Sequence, residues 1–365
     1  MSTATVVDAV PTSEDEPGGR RPTCVVIATR NGAAQLRSVI SRARRQCPVF
    51  VVSDASTDVT AEVARLAGAE VLELEVNVGK PAAIRAALAH FEICRRFETV
   101  IVIDDDTTLA PDFAARCLAR MRGGVAIVVG KTLSDWRRTV RWNPWVASRA
   151  FGYWRYQLFV RRGQSAFNVM NCISGSNSMY RSELLDELTS QPTPYIVDDT
   201  YWTLETHRRG LGRIVYAPDA VAAVQDPMDM GGWYRQNLRW LWGTMQGIHG
   251  HKVGRRRSWF DLAYVGLIVD WVLYVVLWPA LLVAGVALGG ASAGQSAAVY
   301  VAGYAAWSIV GAIALRRWRL VALFPALMAI DWIYRVLFVH AFIKTIRTPR
   351  VDSCVWESPA RYQAA

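Results

Sequence analysis

Three apolar segments near the C-terminal end constrain this chain more than any other feature. They cover roughly residues 260–288, 296–315 and 320–343. Each is long enough to cross a hydrocarbon core, which needs about 20 residues. Apolar residues make up 52 % of the whole chain, but the excess sits in these segments; residues 1–258 read as a water-facing protein. The expected division is a tail at 1–21, a folded domain at 22–258, a transmembrane region at 259–346 and a second tail at 347–365.

Charge orients the segments. Arg255 to Arg257 precede the first, and Arg316, Arg317 and Arg319 follow the second. The positive-inside rule puts both of those ends in the cytoplasm and the loop 289–295 outside. The third segment is ambiguous. It carries Pro325, Asp331, Arg335 and His340, and Lys344, Arg347 and Arg350 follow it. If it spans, that basic tail lies outside, against the rule; if it is interfacial or re-entrant, the tail stays inside. Asp270 and the Asp331/Arg335 pair are expected to face protein or water, because charge is costly in lipid. The net charge of +10, carried mostly by arginine beside apolar runs, suits anionic headgroups. No nucleic-acid motif accompanies it, so no nucleic-acid partner is expected.

Residues 1–21 are polar, contain Pro and Gly, and read as disordered. They lack the apolar core of a signal peptide. Six cysteines (Cys24, Cys47, Cys94, Cys117, Cys172, Cys354) show no CxxC spacing, hence no zinc site and no disulfide framework.

From residue 22, short β-rich runs alternate with helical stretches. The runs are 24–30, 49–54, 70–76, 99–106, 125–131 and 213–220. Such alternation predicts an α/β fold with a mixed, mostly parallel sheet covered on both faces. Ligands then bind beyond the C-terminal strand ends. Residues 136–162 contain four Trp and seven Arg. Rings that bury while guanidiniums stay wet suit a headgroup layer. Segments at about 136–162 and 232–258 are therefore expected to be interfacial helices.

Two acidic clusters carry chemistry. Asp104, Asp105 and Asp106 follow the buried run TVIVI. Carboxylates at i and i+2 on a strand end share a face, and two such oxygens suit a hard divalent cation that also holds phosphate. Asp54 ends another run, and Lys80 after NVG can meet a diphosphate as a point charge. The second cluster is VDDTYW at 197–202. A carboxylate there can deprotonate an acceptor hydroxyl. Alternatively, Asp198 or Asp199 caps the helix over 200–209.

In order, the chain reads VVSDASTD, NVGKPAAIRAAL, DDDTTLAP, SGSNSMYR, VDDTYW and QNLRW. This series resembles the membrane-embedded family-2 glycosyltransferases: hyaluronan, cellulose and chitin synthases and the nodulation chitooligosaccharide synthase. The resemblance covers roughly 22–258 and implies a GT-A nucleotide-diphospho-sugar transferase domain. It implies that Thr29, Asn31 and Asp54 line a uridine pocket and that Lys80 helps hold the nucleotide. Asp104 would contact the nucleotide and, with Asp106, hold Mn²⁺ or Mg²⁺. Gly175 and Ser176 would border the acceptor, and Asp199, beside Asp198, would be the general base. Gln236 and Arg239 would steady the leaving diphosphate, and Trp240 would stack on the acceptor sugar.

The expectation that follows is an inverting transferase in the plasma membrane, multi-pass, with its catalytic domain cytoplasmic. It would use a UDP-sugar to extend and secrete a β-linked polysaccharide. Its alternatives are a single addition to a lipid-linked acceptor, and a non-catalytic membrane scaffold with a degenerate nucleotide fold. Hyaluronan and cellulose synthases usually carry membrane helices ahead of the catalytic domain, and none is read here. A homo-oligomer or a channel partner is therefore expected to complete any channel. The segment 348–362 loosely resembles the Trp-containing stretch after the last helix of hyaluronan synthases, which favours a cytosolic tail.

Overall fold

The structure is a computed structural model that describes residues 21–136, 140–288 and 290–352. The expected N-terminal tail up to residue 20, Arg137 to Thr139 of the Trp/Arg-rich stretch and residues 353–365 lie outside the described residues.

Eight strands form one sheet: β1 (Arg21–Thr29), β2 (Val49–Asp54), β3 (Glu70–Leu74), β4 (Phe97–Ile103), β5 (Thr108–Leu109), β6 (Val125–Ser134), β7 (Asn177–Arg181) and β8 (Arg213–Val224). Their order is β3-β2-β1-β4-β7-β6-β8-β5. All six runs read from the sequence are strands. The β3-β2-β1-β4 half is parallel throughout, whereas β7 lies antiparallel to both β4 and β6.

The helices of the first half are α1 (Ala33–Ala43), α2 (Thr60–Leu66), α3 (Lys80–His90), α4 (Ile93–Arg96) and α5 (Phe113–Leu118). Then come α6 (Pro144–Arg155), a π-helical turn at Tyr156–Arg161, α7 (Arg162–Ala166), α8 (Ser182–Thr189), α9 (Asp198–Arg209) and α10 (Met230–Gly250). Four helices end the described chain: α11 (Trp259–Ala287), α12 (Gly290–Leu315), α13 (Arg319–Ala322) and α14 (Phe324–Arg347).

The sheet is covered on both faces, which is why its central strands read as continuous apolar runs. Along β4 the side chains alternate. Val100 and Val102 pack with Ile84, Leu185 and Trp202 on one face, and Ile101 and Ile103 with Leu36, Ile40 and Phe113 on the other. β1 lies between β2 and β4, so the strand order reverses beside it, and the C-terminal ends of all three open at one edge. Ile103 pairs with Asn177, which brings the turn before β7 to that same edge.

The helices Trp259–Ala287, Ala293–Leu315 and Phe324–Arg347 are long and apolar enough to cross a membrane. α14 also packs along α10, with Trp233, Leu241 and Trp242 against Ile330, Leu337 and Phe338. Both its ends meet the water-facing domain. Leu327 joins Val146 and Phe151 of α6. At the other end the Thr348 carbonyl accepts from Trp242 Nε1 and Gln246 Nε2, and Val351 N–H donates to the Pro194 carbonyl.

The Trp/Arg-rich stretch is divided between exposed and buried side chains, with Leu158 and Phe159 exposed. Trp142 is 48 % exposed, but Trp136, Arg149 and Arg161 are buried. Trp136 and the α6 residues Val146 and Phe151 pack with Ala312, Leu320 and Leu327, so this part of the stretch fills a protein interface.

Candidate active site

A cavity of about 1390 Å³ opens at the C-terminal strand ends and continues between α10 and the apolar helices. Thr29, Asn31, Asp54, Lys80, Asp104, Gly175, Ser176, Asp198, Asp199, Gln236, Arg239 and Trp240 all line it. Residues from nearly the whole length of the domain thus meet at one site. Asp106 is the exception among the expected residues: it is 5 % exposed and lies off the wall.

Each side chain is held by local geometry. Asp54 ends β2 and accepts from the N–H groups of Val78 (2.8 Å) and Gly79 (2.9 Å), which fixes the loop entering α3. Gly79 has φ +82°, a region that favours glycine. Asn31 accepts from Thr57 N–H at 2.8 Å and ties the first loop to the second. The Thr29 hydroxyl donates to Asp105 at 2.5 Å.

The expectation that Asp104 and Asp106 share a face through strand alternation does not hold. β4 ends at Ile103, and residues 104–107 turn, with Thr107 N–H donating to the Asp104 carbonyl. Outside a strand the two-residue period lapses, and Asp105 reaches the wall beside Asp104.

Lys80 opens α3 and donates to both the Asp104 carboxylate and the Gly175 carbonyl. Burial alone would lower its pKa, but the carboxylates of Asp104, Asp198 and Asp199 outweigh this and raise it. The Gly175 N–H in turn donates to Asp199 at 3.2 Å. One chain of contacts therefore links the 104–106 turn to the second acidic cluster.

Asp198 and Asp199 form the first turn of α9. Val197 is the N-cap, and no side chain caps this helix; the capping alternative therefore does not describe either aspartate. Burial pushes the Asp199 carboxyl up to about 6, and the Asp198 charge adds to the rise, against Lys80, Arg239 and the Gly175 N–H. Cys172 Sγ lies 3.6 Å from Asp199 Oδ1.

α10 approaches this turn closely. A Cβ on Gly243 would lie 2.4 Å from Val197 Cγ2. Glycine there lets the helix bearing Gln236, Arg239 and Trp240 sit against the segment bearing Asp199. Sequence reasoning missed Arg149, which stacks on the Trp240 ring with its guanidinium carbon 4.0 Å from the centroid. The count of arginines in 136–162 pointed to the stretch but not to the residue.

The donor set suits a divalent cation of the kind completed by substrate. Among the described residues no group of three His, Cys, Asp or Glu forms a ready-made metal cage. The 104–106 turn nevertheless puts two carboxylates on the cavity wall, and Mg²⁺ or Mn²⁺ is commonly held by one or two carboxylates together with substrate phosphates.

A family model described as "Glycosyltransferase like family 2" matches residues 20–243. An N-acetylglucosaminyltransferase of Mesorhizobium japonicum is 30 % identical over 65 % of this chain and 59 % of its own length. A poly-beta-1,6-N-acetyl-D-glucosamine synthase of Staphylococcus epidermidis is 25 % identical over 61 % of this chain and 52 % of its own. The matches thus span between half and three fifths of these relatives. Among solved structures, glucosyl-3-phosphoglycerate synthase from Mycobacterium tuberculosis, in complex with Mn²⁺, UDP and phosphoglyceric acid, aligns with a TM-score of 0.42 at 23 % identity. That alignment covers 63 % of this chain and 78 % of the other. With the family model matching well over half of its residues, the chain belongs to glycosyltransferase family 2.

Proposed function

We propose that this enzyme is an inverting, metal-dependent transferase that uses a UDP-sugar to extend a β-linked polysaccharide at the membrane. The observation that carries the reading is the convergence of Asp104, Lys80, Asp199, Gln236, Arg239 and Trp240 on one cavity that also reaches the apolar helices. The acceptor hydroxyl gives its proton to Asp199. Its oxygen bonds to C1 of the donor sugar as the C1–O bond to phosphate breaks, and UDP leaves with the electron pair. A carboxyl held near 6 suits this task, because it is ionised at neutral pH yet more basic than an ordinary aspartate.

Arg239 meets the charge that grows on the departing diphosphate; one such preorganised donor is worth on the order of 3 kcal/mol. The indole of Trp240 offers an apolar face to a sugar ring. A divalent ion bound at the 104–106 turn would neutralise part of the diphosphate charge. The family resemblance assigns it to Asp104 and Asp106, and Asp105 also faces the cavity.

The donor is proposed to carry N-acetylglucosamine, from the names of the curated relatives. The arginines at 255–257 and at 316, 317 and 319 support a catalytic domain on the cytoplasmic face. The contacts at both ends of α14 favour a C-terminal segment on that same face. The rival is a single addition to a lipid-linked acceptor, favoured by the opening of the cavity among the apolar helices. The test is to supply the purified protein in lipid with UDP-N-acetylglucosamine, UDP-glucose and UDP-glucuronate, then measure UDP release and product length. Long product supports the polymerase; one sugar on a lipid supports the rival; no UDP from any donor sinks both.

A further inference from the structure

α6 and α10 are tied together where both begin. Asn143 caps α6, its side-chain oxygen accepting from the N–H groups of Trp145 (2.9 Å) and Val146 (3.1 Å). Its amide nitrogen donates to the Met228 carbonyl at 2.7 Å, in the link between β8 and α10. This fixes the direction in which α6 presents its next turns. Arg149, 8 % exposed, projects from there onto α10 and lines the cavity.

Every nitrogen of the Arg149 guanidinium is engaged. Nε donates to Asp226 Oδ1 at 3.3 Å and Nη1 to Asn237 Oδ1 at 2.9 Å. Nη2 donates to the Tyr153 hydroxyl at 3.0 Å and to Gln236 Oε1 at 3.3 Å. The plane lies over the Trp240 ring. Gln236 and Trp240 are four residues apart and so share a helix face; one planar fork spans that face. Asp226 neutralises the charge and is itself held by Ser134 and Tyr153.

Two consequences follow. Gln236 Oε1 accepts from Arg149, which fixes the orientation of the amide and so of its nitrogen, the group of this side chain that can donate to a ligand. One face of Trp240 is covered by the guanidinium, so a sugar stacks on the other. A lysine could keep the charge, but it lacks the rigid fork that makes these contacts together.

We propose that Arg149 is a positioning residue for the transfer, setting the Gln236 amide and the Trp240 ring from outside the QNLRW motif. It rests on the preceding reading that this motif serves the leaving diphosphate and the acceptor. A purely structural ion pair is the competing account. Replacing a buried pair by apolar residues is often neutral for stability, so stability and positioning can be separated.

The test uses full-length protein in lipid nanodiscs with the same three UDP-sugars. Arg149→Lys and the double variant Arg149→Met/Asp226→Leu are compared with wild type. The readouts are thermal midpoint, UDP affinity, UDP release, and sugar incorporated per UDP released. Both variants should weaken UDP binding by no more than about tenfold, the worth of one displaced amide hydrogen bond, while sugar incorporated per UDP released falls about tenfold or more, as a misplacement near 1 Å can cost 10²-fold. Wild-type coupling in either folded variant overturns the proposal. So does a parallel loss of UDP binding, release and incorporation, or a failure of both variants to fold, each of which marks a structural role. Wild type that releases UDP from no donor instead overturns the underlying function, and this inference with it.

Discussion

Burial and the neighbouring Asp198 both oppose a negative charge on Asp199 and push its carboxyl up to about 6. The acid form cannot accept a proton, so turnover should rise as pH passes about 6 and level off above it. The direction follows from the raised pKa: an ordinary aspartate would place this limb some two units lower. Asp199→Asn should remove the limb and lower turnover by about 10²-fold or more, with UDP affinity nearly unchanged. If Asp198→Asn has that effect while Asp199→Asn stays active, the base is the other member of the pair. The sequence named both aspartates but could not separate a base from a cap. The cap reading gives way because Val197 holds the cap position, and the setting of Asp199 depends on Lys80, ninety-five residues before Gly175, reaching the loop that touches it.

At the scale of elements, what was legible followed from periodicity and what was not depended on distant partners. The six runs announced six strands; the central ones are apolar throughout because helices bury them on both faces, whereas β3, at the sheet edge, stays partly exposed. β7 is not among the runs read from the sequence, since NSMYR has no apolar run; it is a strand because β4 and β6 flank it. The 104–106 turn shows the opposite error, an alternation extended beyond the strand that sustains it. Its metal assignment can be checked directly. Turnover should require Mn²⁺ or Mg²⁺ and cease in excess EDTA. Asp106→Asn should abolish metal-supported turnover if the family assignment holds through a rearranged turn. Should Asp105→Asn be the dead variant instead, with Asp106→Asn active, the carboxylate already on the wall is the ligand. Full activity in EDTA would remove the ion from the mechanism altogether.

At the scale of the whole molecule, α14 joins the apolar region to the reaction. Its length and composition allow a third span while its charges leave an interfacial course open; it lies along α10 and returns the chain to Pro194, beside the segment bearing Asp199. A protease site placed after residue 352 should therefore be cut from the face that bears the catalytic domain; protection on that face and cleavage on the other would make α14 a full crossing. Whether this architecture feeds a growing polymer or a single acceptor can be tested at two residues one position apart. Trp240 is assigned the acceptor sugar and Arg239 the leaving diphosphate, so their losses should differ. Trp240→Ala should bind UDP normally and still release UDP by transfer to water, but make no long product. Arg239→Ala should lose donor turnover and polymer together, by about 10²-fold or more, because the developing charge goes unmet. UDP release and product length, measured on each variant, separate the outcomes. If both variants make wild-type polymer, QNLRW is a structural helix segment and the cavity works by other groups. If wild type adds one sugar to a lipid and stops, the membrane helices serve as an acceptor platform and the polymerase reading falls.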